Sequence, residues 1–384
     1  MGAAAERTDV LIVGAGPCGL AAAIACGRAG LRAVVLDRGC LVSGVASYPP
    51  YMTFFSTAER IAIGGVPFAI AGEKPSRRDA LAYYRVVARH FDLDVRQYEP
   101  VERVERLGDG ERDGARFLVH ARRRGTERAY RAGAIVVATG YFGTPSKLGV
   151  PVEELPHVSH YFNEGHYGFG NEVAVVGGGN SAVDAALELY RAGARVTMVH
   201  FGPGLDPNIK PWVLPDVSAR IREGAIRGVW NARVTEITPD AVHVAVGAAG
   251  DPAGALAAGR ELGVERLAVP ADLVYLTTGF LPNSGLLTQL GVPLDADTGI
   301  PAHDPTTMET SVPRLYIAGV IASGFHANRI FIENGRDHGA YIARHLTGVD
   351  TPTYAPMPGA AERAGAAESA RDTAHEPGRE PAPV

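Results

Sequence analysis

Two stretches of the chain repeat the same order of an apolar strand, a glycine turn, a helix and a second strand. Residues 9–39 read DVLIVGAGPCGLAAAIACGRAGLRAVVLDRG, residues 172–202 read EVAVVGGGNSAVDAALELYRAGARVTMVHFG, and the two align without a gap. Apolar spacing predicts a helix in each copy that ends at Ala-Gly, followed by a β-branched strand. The repeat therefore predicts an α/β fold with two Rossmann-like dinucleotide-binding domains.

The glycines of the first copy have the spacing of a dinucleotide-binding turn. Gly14, Gly16 and Gly19 give G-x-G-x-x-G after a strand and at the start of a helix. Such glycines permit a tight turn, let a pyrophosphate approach the backbone and allow close helix–strand packing. Asp37 stands 23 residues after Gly14, where an acid accepts hydrogen bonds from a ribose. The remaining candidate contacts of this turn are Pro17, Cys18 and Arg38.

The second copy differs where it would meet the ribose. Gly177, Gly179 and Ala182 give G-x-G-x-x-A, and His200 takes the place of Asp37. An acid at that place repels a 2′-phosphate and a histidine does not, so the second site is expected to prefer NADPH to NADH. Lys210 is either a phosphate contact or a surface lysine. The candidate contacts of this site are Gly177, Gly179, Asn180, Ser181, His200 and Lys210.

Later segments repeat a second pattern. Residues 130–151 and 271–283 each read as a buried strand followed by a Thr-Gly turn, and residues 314–324 add a strand and a glycine turn. Residues 328–348 are predicted to form a closing helix. The two Thr-Gly turns supply the further candidate contacts Thr139, Gly140, Thr278 and Gly279.

This order indicates one domain nested within another. We expect residues 8–160 and 285–348 to form a discontinuous first domain, and residues 161–284 to form the second. Residues 351–384 are rich in Pro, Ala, Gly, Glu and Arg and have almost no large apolar side chains. Such a segment cannot bury enough surface to offset its ordering entropy, so we expect a disordered tail.

Composition excludes several classes of function. The chain has 384 residues, of which 46% are hydrophobic, and a net charge of −5, so it has no general attraction to nucleic acid or anionic membranes. The N-terminus lacks the pattern of a signal peptide, and no stretch approaches a membrane span, so we expect a cytoplasmic protein. The chain has three cysteines, Cys18, Cys26 and Cys40, and none of them forms a C-x-x-C motif with another. Their spacing predicts neither a disulfide framework nor a metal site.

Two nested dinucleotide motifs with Thr-Gly turns resemble the two-dinucleotide-binding flavoproteins of the thioredoxin-reductase type. The resemblance covers about residues 8–348 and implies FAD in the first site, a nicotinamide nucleotide in the nested site, and hydride transfer between them. The nested domain departs from thioredoxin reductase because it lacks the C-x-x-C redox dithiol.

Four stretches are similar to the bacillithiol disulfide reductase family: GAGPCG (14–19), YPPYMTFFS (48–56), IKPWVLP (209–215) and FIENGRDHG (331–339). This resemblance implies FAD, NADPH and reduction of a low-molecular-weight thiol disulfide by a homo-oligomer. It also implies that Cys18 is the redox thiol.

The chain departs from the wider flavoprotein pattern at YIAGVIASG. Most flavoproteins of this type have an aspartate after that glycine, which binds the ribityl chain, whereas Val320 follows Gly319 here, as in the family that the chain resembles. Flavin binding must then depend on other groups. The candidates outside the glycine turns are Thr53, Phe54, Gly319 and Ile330.

The residues alone leave two roles open for Cys18. A helix N-terminus favours the thiolate that attacks disulfides. Flavin phosphates beside the turn disfavour a second anion, and the pyrophosphate lies about 10 Å from the flavin N5 by extended-chain reckoning. Cys18 is then either redox-active or a small packed side chain. Cys26 is expected in the core, and Cys40 is expected to be partly exposed.

Several residues near the closing helix are candidate flavin neighbours. Its N-terminal end, near Asn328 to Ile332, is expected to point at the flavin and stabilise the anionic reduced form. Ser56 could bond the polar edge of the ring. Glu333 and Asn334 either orient the flavin or lie on the surface. His326 and His338 are either proton donors or structural histidines.

Two other functions stay open on sequence grounds. A ferredoxin-reductase-like electron carrier needs no active cysteine. A flavin monooxygenase is suggested by ATGYFGTPSKLGVP (138–151), although no F-x-G-x-x-x-H signature precedes the nested glycine turn.

Overall fold

The computed structural model describes residues 5–108, 113–247, 264–327 and 329–354. The described strands, in chain order, are β1 (Glu6–Val13), β2 (Ala33–Leu36), β3 (Asp94–Arg96), β4 (Val101–Arg106), β5 (Phe117–Arg123), β6 (Thr126–Val137), β7 (Val158–Ser159), β8 (Glu172–Val176), β9 (Arg195–Val199), β10 (Ile226–Val229), β11 (Ala232–Ile237), β12 (Ala241–Val246), β13 (Glu265–Pro270), β14 (Leu273–Leu276) and β15 (Leu315–Ile317). The described α-helices are α1 (Pro17–Arg28), α2 (Ser43–Ala46), α3 (Arg77–His90), α4 (Asn180–Arg191), α5 (Leu214–Arg222), α6 (Gly285–Gln289), α7 (Ile332–Gly335) and α8 (His338–Thr347). Short 3-10 helices span Ala58–Ile61, Gly165–Gly168 and Gly319–Ser323.

A seven-stranded sheet forms the first domain. Its strand order is β3-β2-β1-β6-β5-β4, and β15 pairs with the C-terminal end of β6. The pairs of β1 with β2 and β6, of β2 with β3, and of β15 with β6 are parallel, as βαβ connections require. The first half of β6 joins β5 and β4 in an antiparallel meander. The long β6 thus belongs to both parts of the sheet.

The second domain repeats this architecture in two separate sheets. A five-stranded parallel sheet has the order β10-β9-β8-β14-β7, and β11, β12 and β13 form an antiparallel sheet of their own. The strands β13 and β14 correspond to the two halves of β6, because the chain leaves the strand conformation between Pro270 and Leu273. The predicted α/β fold class is confirmed.

The helices of the two repeats end where the sequence predicts. After α1, Ala29 is followed by Gly30 with φ +81°, and after α4, Ala192 is followed by Gly193 with φ +89°. Positive φ is available to glycine without strain, so each glycine turns the chain toward the next strand.

Two adjacent segments connect the domains. Pro145 bridges Phe280, and the Ser146 amide donates to the Gly279 carbonyl oxygen at 3.0 Å. The pairing of β7 with β14 places Val158–Ser159 in the second sheet, whereas the sequence-based boundary follows residue 160. The domain limits themselves stay predictions.

The closing helix predicted over residues 328–348 is divided, and that prediction is wrong. The Asp337 amide donates to the Asn334 carbonyl oxygen, three residues back, so the α-helical pattern is interrupted between α7 and α8. The expected effect of its N-terminal end on a flavin stays a prediction, because a helical turn still begins at Ile332 and a helix end acts through its first turn. Asn328 lies outside the described residues.

The start of the predicted disordered tail packs against the first domain. The Tyr354 ring lies 4.0 Å from the Arg336 guanidinium carbon, and the Tyr354 amide donates to Asp337 Oδ1 at 2.9 Å. The Gly65 amide donates to the Tyr354 hydroxyl at 2.7 Å. Residues 355–384, the rest of that segment, lie outside the described residues. Across the described ranges, no helix is long and apolar enough to cross a membrane.

Helices α1 and α8 cross with their backbones in close contact. A Cβ placed on Gly339 would lie 2.5 Å from the Ala22 Cα, which no real side chain tolerates. Gly27, on the exposed side of α1, has no atom within 4 Å of such a Cβ. Both glycines lie in helices, and they differ in the space available for an added Cβ.

We predict opposite effects of alanine at these two glycines. Gly27→Ala should raise the free energy of unfolding by about 0.5–1 kcal/mol, because alanine loses less conformational freedom in a helix. Gly339→Ala should lower it by about 1–3 kcal/mol, because α1 and α8 must separate. Thermal unfolding of both variants, each saturated with flavin, measures the difference. An unchanged melting temperature for Gly339→Ala would contradict the described helix crossing.

Candidate active site

The first glycine turn is a cradle with one open face. Gly14 has φ +112°, and a Cβ on it would lie 2.3 Å from the Ala138 carbonyl oxygen. A Cβ on Gly19 would lie 2.0 Å from the Gly14 carbonyl oxygen, so only glycine permits this packing. A Cβ on Gly16 would meet no atom within 4 Å. Gly16 is therefore the point at which a ligand can approach the backbone.

The N-terminus of α1 is suited to bind a phosphate group. Gly16 is the N-cap and provides no capping side chain, Pro17 stands at the first helical position, and the first turn contains no acid. The amides of a first helical turn have no intrahelical acceptor, and their partial positive charge attracts anions. These residues fit the pyrophosphate of a dinucleotide.

Asp37 holds the glycine turn in shape. Its Oδ2 accepts from the Ala15 amide at 2.7 Å, and its Oδ1 accepts from the Gly39 amide at 2.7 Å and the Ser43 hydroxyl at 3.2 Å. The predicted ribose contact thus also fixes the backbone of the cradle. Arg38 is exposed, and its guanidinium donates to the Gly143 carbonyl oxygen at 3.1 Å.

Cys18 lies where the glycine turn meets α7. A Cβ on Gly335 would be 2.9 Å from its Sγ, and a Cβ on Gly319 would be 3.0 Å from the same sulfur. Burial raises the pKa of the Cys18 thiol to about 12, and the Glu333 charge acts in the same direction, against Arg336. Desolvation thus opposes the thiolate that the helix end is expected to favour.

The stretch 48–56 contacts α7 through a hydroxyl–carboxylate pair. The Ser56 hydroxyl donates to a Glu333 carboxylate oxygen, and burial raises the pKa of Glu333. Phe54 is buried in the core, whereas Thr53 is exposed and bridges Ser76. Among these candidates, Glu333 is the one brought near Cys18.

Asn334 shapes the loop before α7. Its Oδ1 accepts from the Phe331 amide at 2.8 Å, and its Nδ2 donates to the Arg329 carbonyl oxygen at 3.0 Å. Ile330 lies behind this loop, with its Cγ2 3.2 Å from a Cβ placed on Gly335. Asn334 and Ile330 thus support the segment that packs against Cys18.

His338 is a structural histidine. Its Nδ1 accepts from the Gly319 amide at 3.1 Å, and burial lowers its pKa to about 4. The ring is therefore neutral near pH 7 and supports Gly319, whose φ is +79°. His326 is exposed.

The Thr-Gly turns lie at the junction between the domains. The Thr139 hydroxyl donates to the Asn283 carbonyl oxygen at 3.3 Å, and the Thr278 hydroxyl donates to the Ser146 carbonyl oxygen at 2.6 Å. Gly140 and Gly279 have φ +69° and +91° and no atom within 4 Å of an added Cβ. Each threonine hydroxyl therefore forms a hydrogen bond between the two segments that connect the domains.

The second glycine turn has the same geometry. Gly177 has φ +141°, and a Cβ on it would lie 2.6 Å from the Thr277 carbonyl oxygen. Gly179 is the N-cap of α4 and has no capping side chain, and Ser181 is exposed in the first turn. A Cβ on Gly179 would meet only Asp206, with Oδ2 at 3.1 Å. This turn too fits a dinucleotide pyrophosphate.

Both side chains predicted to contact a 2′-phosphate have partners within the protein. His200 is only 6% exposed, and its Nε2 lies 3.2 Å from Asp206 Oδ1. Lys210 Nζ lies 2.7 Å from Asp184 Oδ2, and the Lys210 amide donates to Asn180 Oδ1 at 2.8 Å. Sequence reasoning missed Asp206 because nothing in the local pattern pairs it with His200.

Two of the stretches that resemble the disulfide reductases meet across the domains. The ring centroids of Phe55 and Trp212 are 5.0 Å apart, and Lys74 Nζ lies 4.4 Å from the Trp212 ring centroid. Cations over aromatic faces are attracted by the ring quadrupole. This contact links the segment before α3 to the segment before α5.

Comparisons with known proteins agree with this arrangement. The family model of the pyridine nucleotide-disulphide oxidoreductases matches residues 11–319. Bacilliredoxin reductase Bdr of Bacillus subtilis (strain 168) is 40% identical over 340 residues, which cover 88% of this chain and 98% of that protein. Bacillithiol disulfide reductase Bdr (YpdA) structures from Bacillus cereus and Staphylococcus aureus are 42% and 36% identical, with TM-scores of 0.82 and 0.79. Each comparison covers 89% of this chain and 99% of the other.

We predict slow alkylation of Cys18 and Cys26 relative to Cys40. Burial raises the pKa of Cys18 and of Cys26 to about 12, so roughly one thiol in ten thousand is ionised at pH 8. Cys40 is partly exposed, as Cys18 is, and serves as the internal control, so a difference between these two rates reports the raised pKa of Cys18. Peptide mass spectrometry after timed iodoacetamide treatment of the folded protein should show Cys40 modified first. Modification of Cys18 at the rate of Cys40 would contradict the raised pKa of Cys18.

Proposed function

The chain belongs to the pyridine nucleotide-disulphide oxidoreductase family, and from that membership we propose that it reduces a low-molecular-weight thiol disulfide with FAD and NADPH. It is an oxidoreductase that uses a flavin and a nicotinamide dinucleotide. The substrate class follows from its relatives, which are a bacilliredoxin reductase and a bacillithiol disulfide reductase. The observation that supports it best is the meeting of the first glycine turn, Cys18 and α7 at one point.

The two cradles receive different cofactors in this proposal. FAD is assigned to the first cradle, where Gly16 is open and Asp37 fixes the turn. NADPH is assigned to the second, where position 200 is not an acid and Gly179 is open except for Asp206. When bound, the two cofactors supply hydride transfer from the nicotinamide to the flavin and electrons for the disulfide.

We assign the thiol exchange to Cys18. Its thiolate attacks one sulfur of the substrate disulfide, forms a mixed disulfide and releases the first thiol. Two electrons from NADPH then reduce the mixed disulfide, release the second thiol and restore Cys18. In sum, one disulfide, one NADPH and one proton give two thiols and NADP⁺. No second cysteine is needed.

The resting site must change before Cys18 can react. Its pKa of about 12 means that the thiol is protonated at neutral pH, and its sulfur lies against Gly319 and Gly335. The proposal therefore requires loss of the thiol proton and access of the disulfide when the substrate binds. We place the reaction in the cytoplasm, where thiols are kept reduced. A homo-oligomer stays a prediction.

We predict that Cys18→Ser separates cofactor binding from disulfide turnover. Serine matches cysteine in size, so flavin content and flavin reduction by NADPH should stay near those of the unchanged protein. A hydroxyl cannot replace a thiol in disulfide exchange, so turnover should fall by about two orders of magnitude or more. Steady-state NADPH oxidation with bacillithiol disulfide, ferredoxin or oxygen as acceptor measures this. The unchanged protein should react fastest with the disulfide.

Cys40→Ser is the matched control and should keep full turnover. If Cys18→Ser also retains turnover, Cys18 only fills space and the disulfide takes electrons directly from the flavin. If the unchanged protein reduces ferredoxin and not the disulfide, the proposed substrate class is wrong and the electron-carrier function takes its place.

A further inference from the structure

A cation–aromatic pair stands at the end of β9, close to the second glycine turn. The ring of Phe201 is 62% exposed, and the Arg233 guanidinium carbon lies 5.1 Å from its centroid. Phe201 comes two residues after the end of β9, and Arg233 belongs to β11. The pair therefore joins two strands that belong to different sheets.

Backbone hydrogen bonds hold these two positions side by side. The Ala232 amide donates to the His200 carbonyl oxygen at 2.9 Å, and the Asn231 amide donates to the Gly202 carbonyl oxygen at 2.8 Å. These two bonds fix the residues on both sides of Phe201 against the start of β11. The backbone of Arg233 is thereby kept beside the end of β9.

Arg233 differs from the other cationic groups near this turn. Lys210 is paired with Asp184, and His200 lies beside Asp206. Among the residues that the structure describes, no carboxylate forms an ion pair with Arg233, and its guanidinium carbon lies over the Phe201 ring. A guanidinium without an acidic partner is suited to bind a phosphate with two parallel hydrogen bonds.

In dinucleotide-binding βαβ units, the adenosine ribose lies beyond the end of the second strand, which is β9 here. We propose that Arg233 binds the 2′-phosphate of NADPH and that Phe201 positions its guanidinium. This inference rests on the nicotinamide assignment of the proposed function and identifies the residue that determines the choice of nucleotide. Phe201 acts through Arg233 and is a positioning residue.

Asp206 places a negative charge close to this turn. Its carboxylate lies over Gly179, with Oδ2 3.1 Å from an added Cβ. A carboxylate there disfavours bound phosphates, so a nearby cation without an acidic partner favours them. His200 Nε2 lies 3.2 Å from this carboxylate, so His200 acts on Asp206 instead of on the nucleotide. Arg233 supplies a positive charge beside Phe201.

The test compares ligands that differ only in the 2′-phosphate. Calorimetry on the flavin-loaded protein measures the dissociation constants of NADP⁺ against NAD⁺, and of 2′,5′-ADP against 5′-AMP. Arg233→Gln should weaken NADP⁺ and 2′,5′-ADP by roughly 10- to 100-fold, the range for hydrogen bonds to charged groups. NAD⁺ and 5′-AMP should change little. Arg233→Lys should restore part of the loss, and Phe201→Leu should produce a smaller one.

Arg222→Gln, which removes an exposed charge from the end of α5, is the matched control and should leave all four constants unchanged. Flavin content and melting temperature verify that each variant is folded. If the unchanged protein prefers NADP⁺ and Arg233→Gln keeps that preference, the assignment of Arg233 is wrong while the proposed function stands. If the unchanged protein binds NAD⁺ as tightly as NADP⁺, both the assignment and the use of NADPH are wrong.

Discussion

The contact between Gly14 and Ala138 is the constraint on which the rest of the site depends. No side chain fits between the turn after β1 and the backbone after β6, so strand, turn and helix meet at backbone distance. That contact leaves the amide end of α1 uncapped and open at Gly16. The second domain repeats it between Gly177 and Thr277, so the same packing produces two phosphate-binding ends in one chain.

The same close packing determines the chemistry of Cys18. The thiol lies between the glycine turn, Gly319 and Gly335, and the neutral ring of His338 supports Gly319 from behind. Burial raises the pKa of the thiol and so favours its protonated form at neutral pH. A reactive thiol at this place must lose its proton during turnover.

The sequence predicted the features that depend on local pattern. Both βαβ units and their Ala-Gly helix ends follow from apolar spacing and from glycine at positive φ. The features that depend on tertiary contact were not predictable. Asp337, in the break before α8, accepts from the Tyr354 amide, His200 is paired with Asp206 of a later loop, and Arg233 belongs to β11. The raised pKa of Cys18 was not predictable either, because a helix end is visible in a sequence and burial is not.

We propose that the two glycine turns bind different dinucleotides, flavin in the first and nicotinamide in the second. Valine at each open glycine, Gly16→Val and Gly179→Val, tests this assignment, with bound flavin measured by absorbance and flavin reduction by NADPH followed without oxygen. Gly16→Val should lose flavin and still bind NADP⁺, and Gly179→Val should keep flavin that NADPH reduces poorly. Full flavin content in Gly16→Val, or flavin loss confined to Gly179→Val, would contradict it.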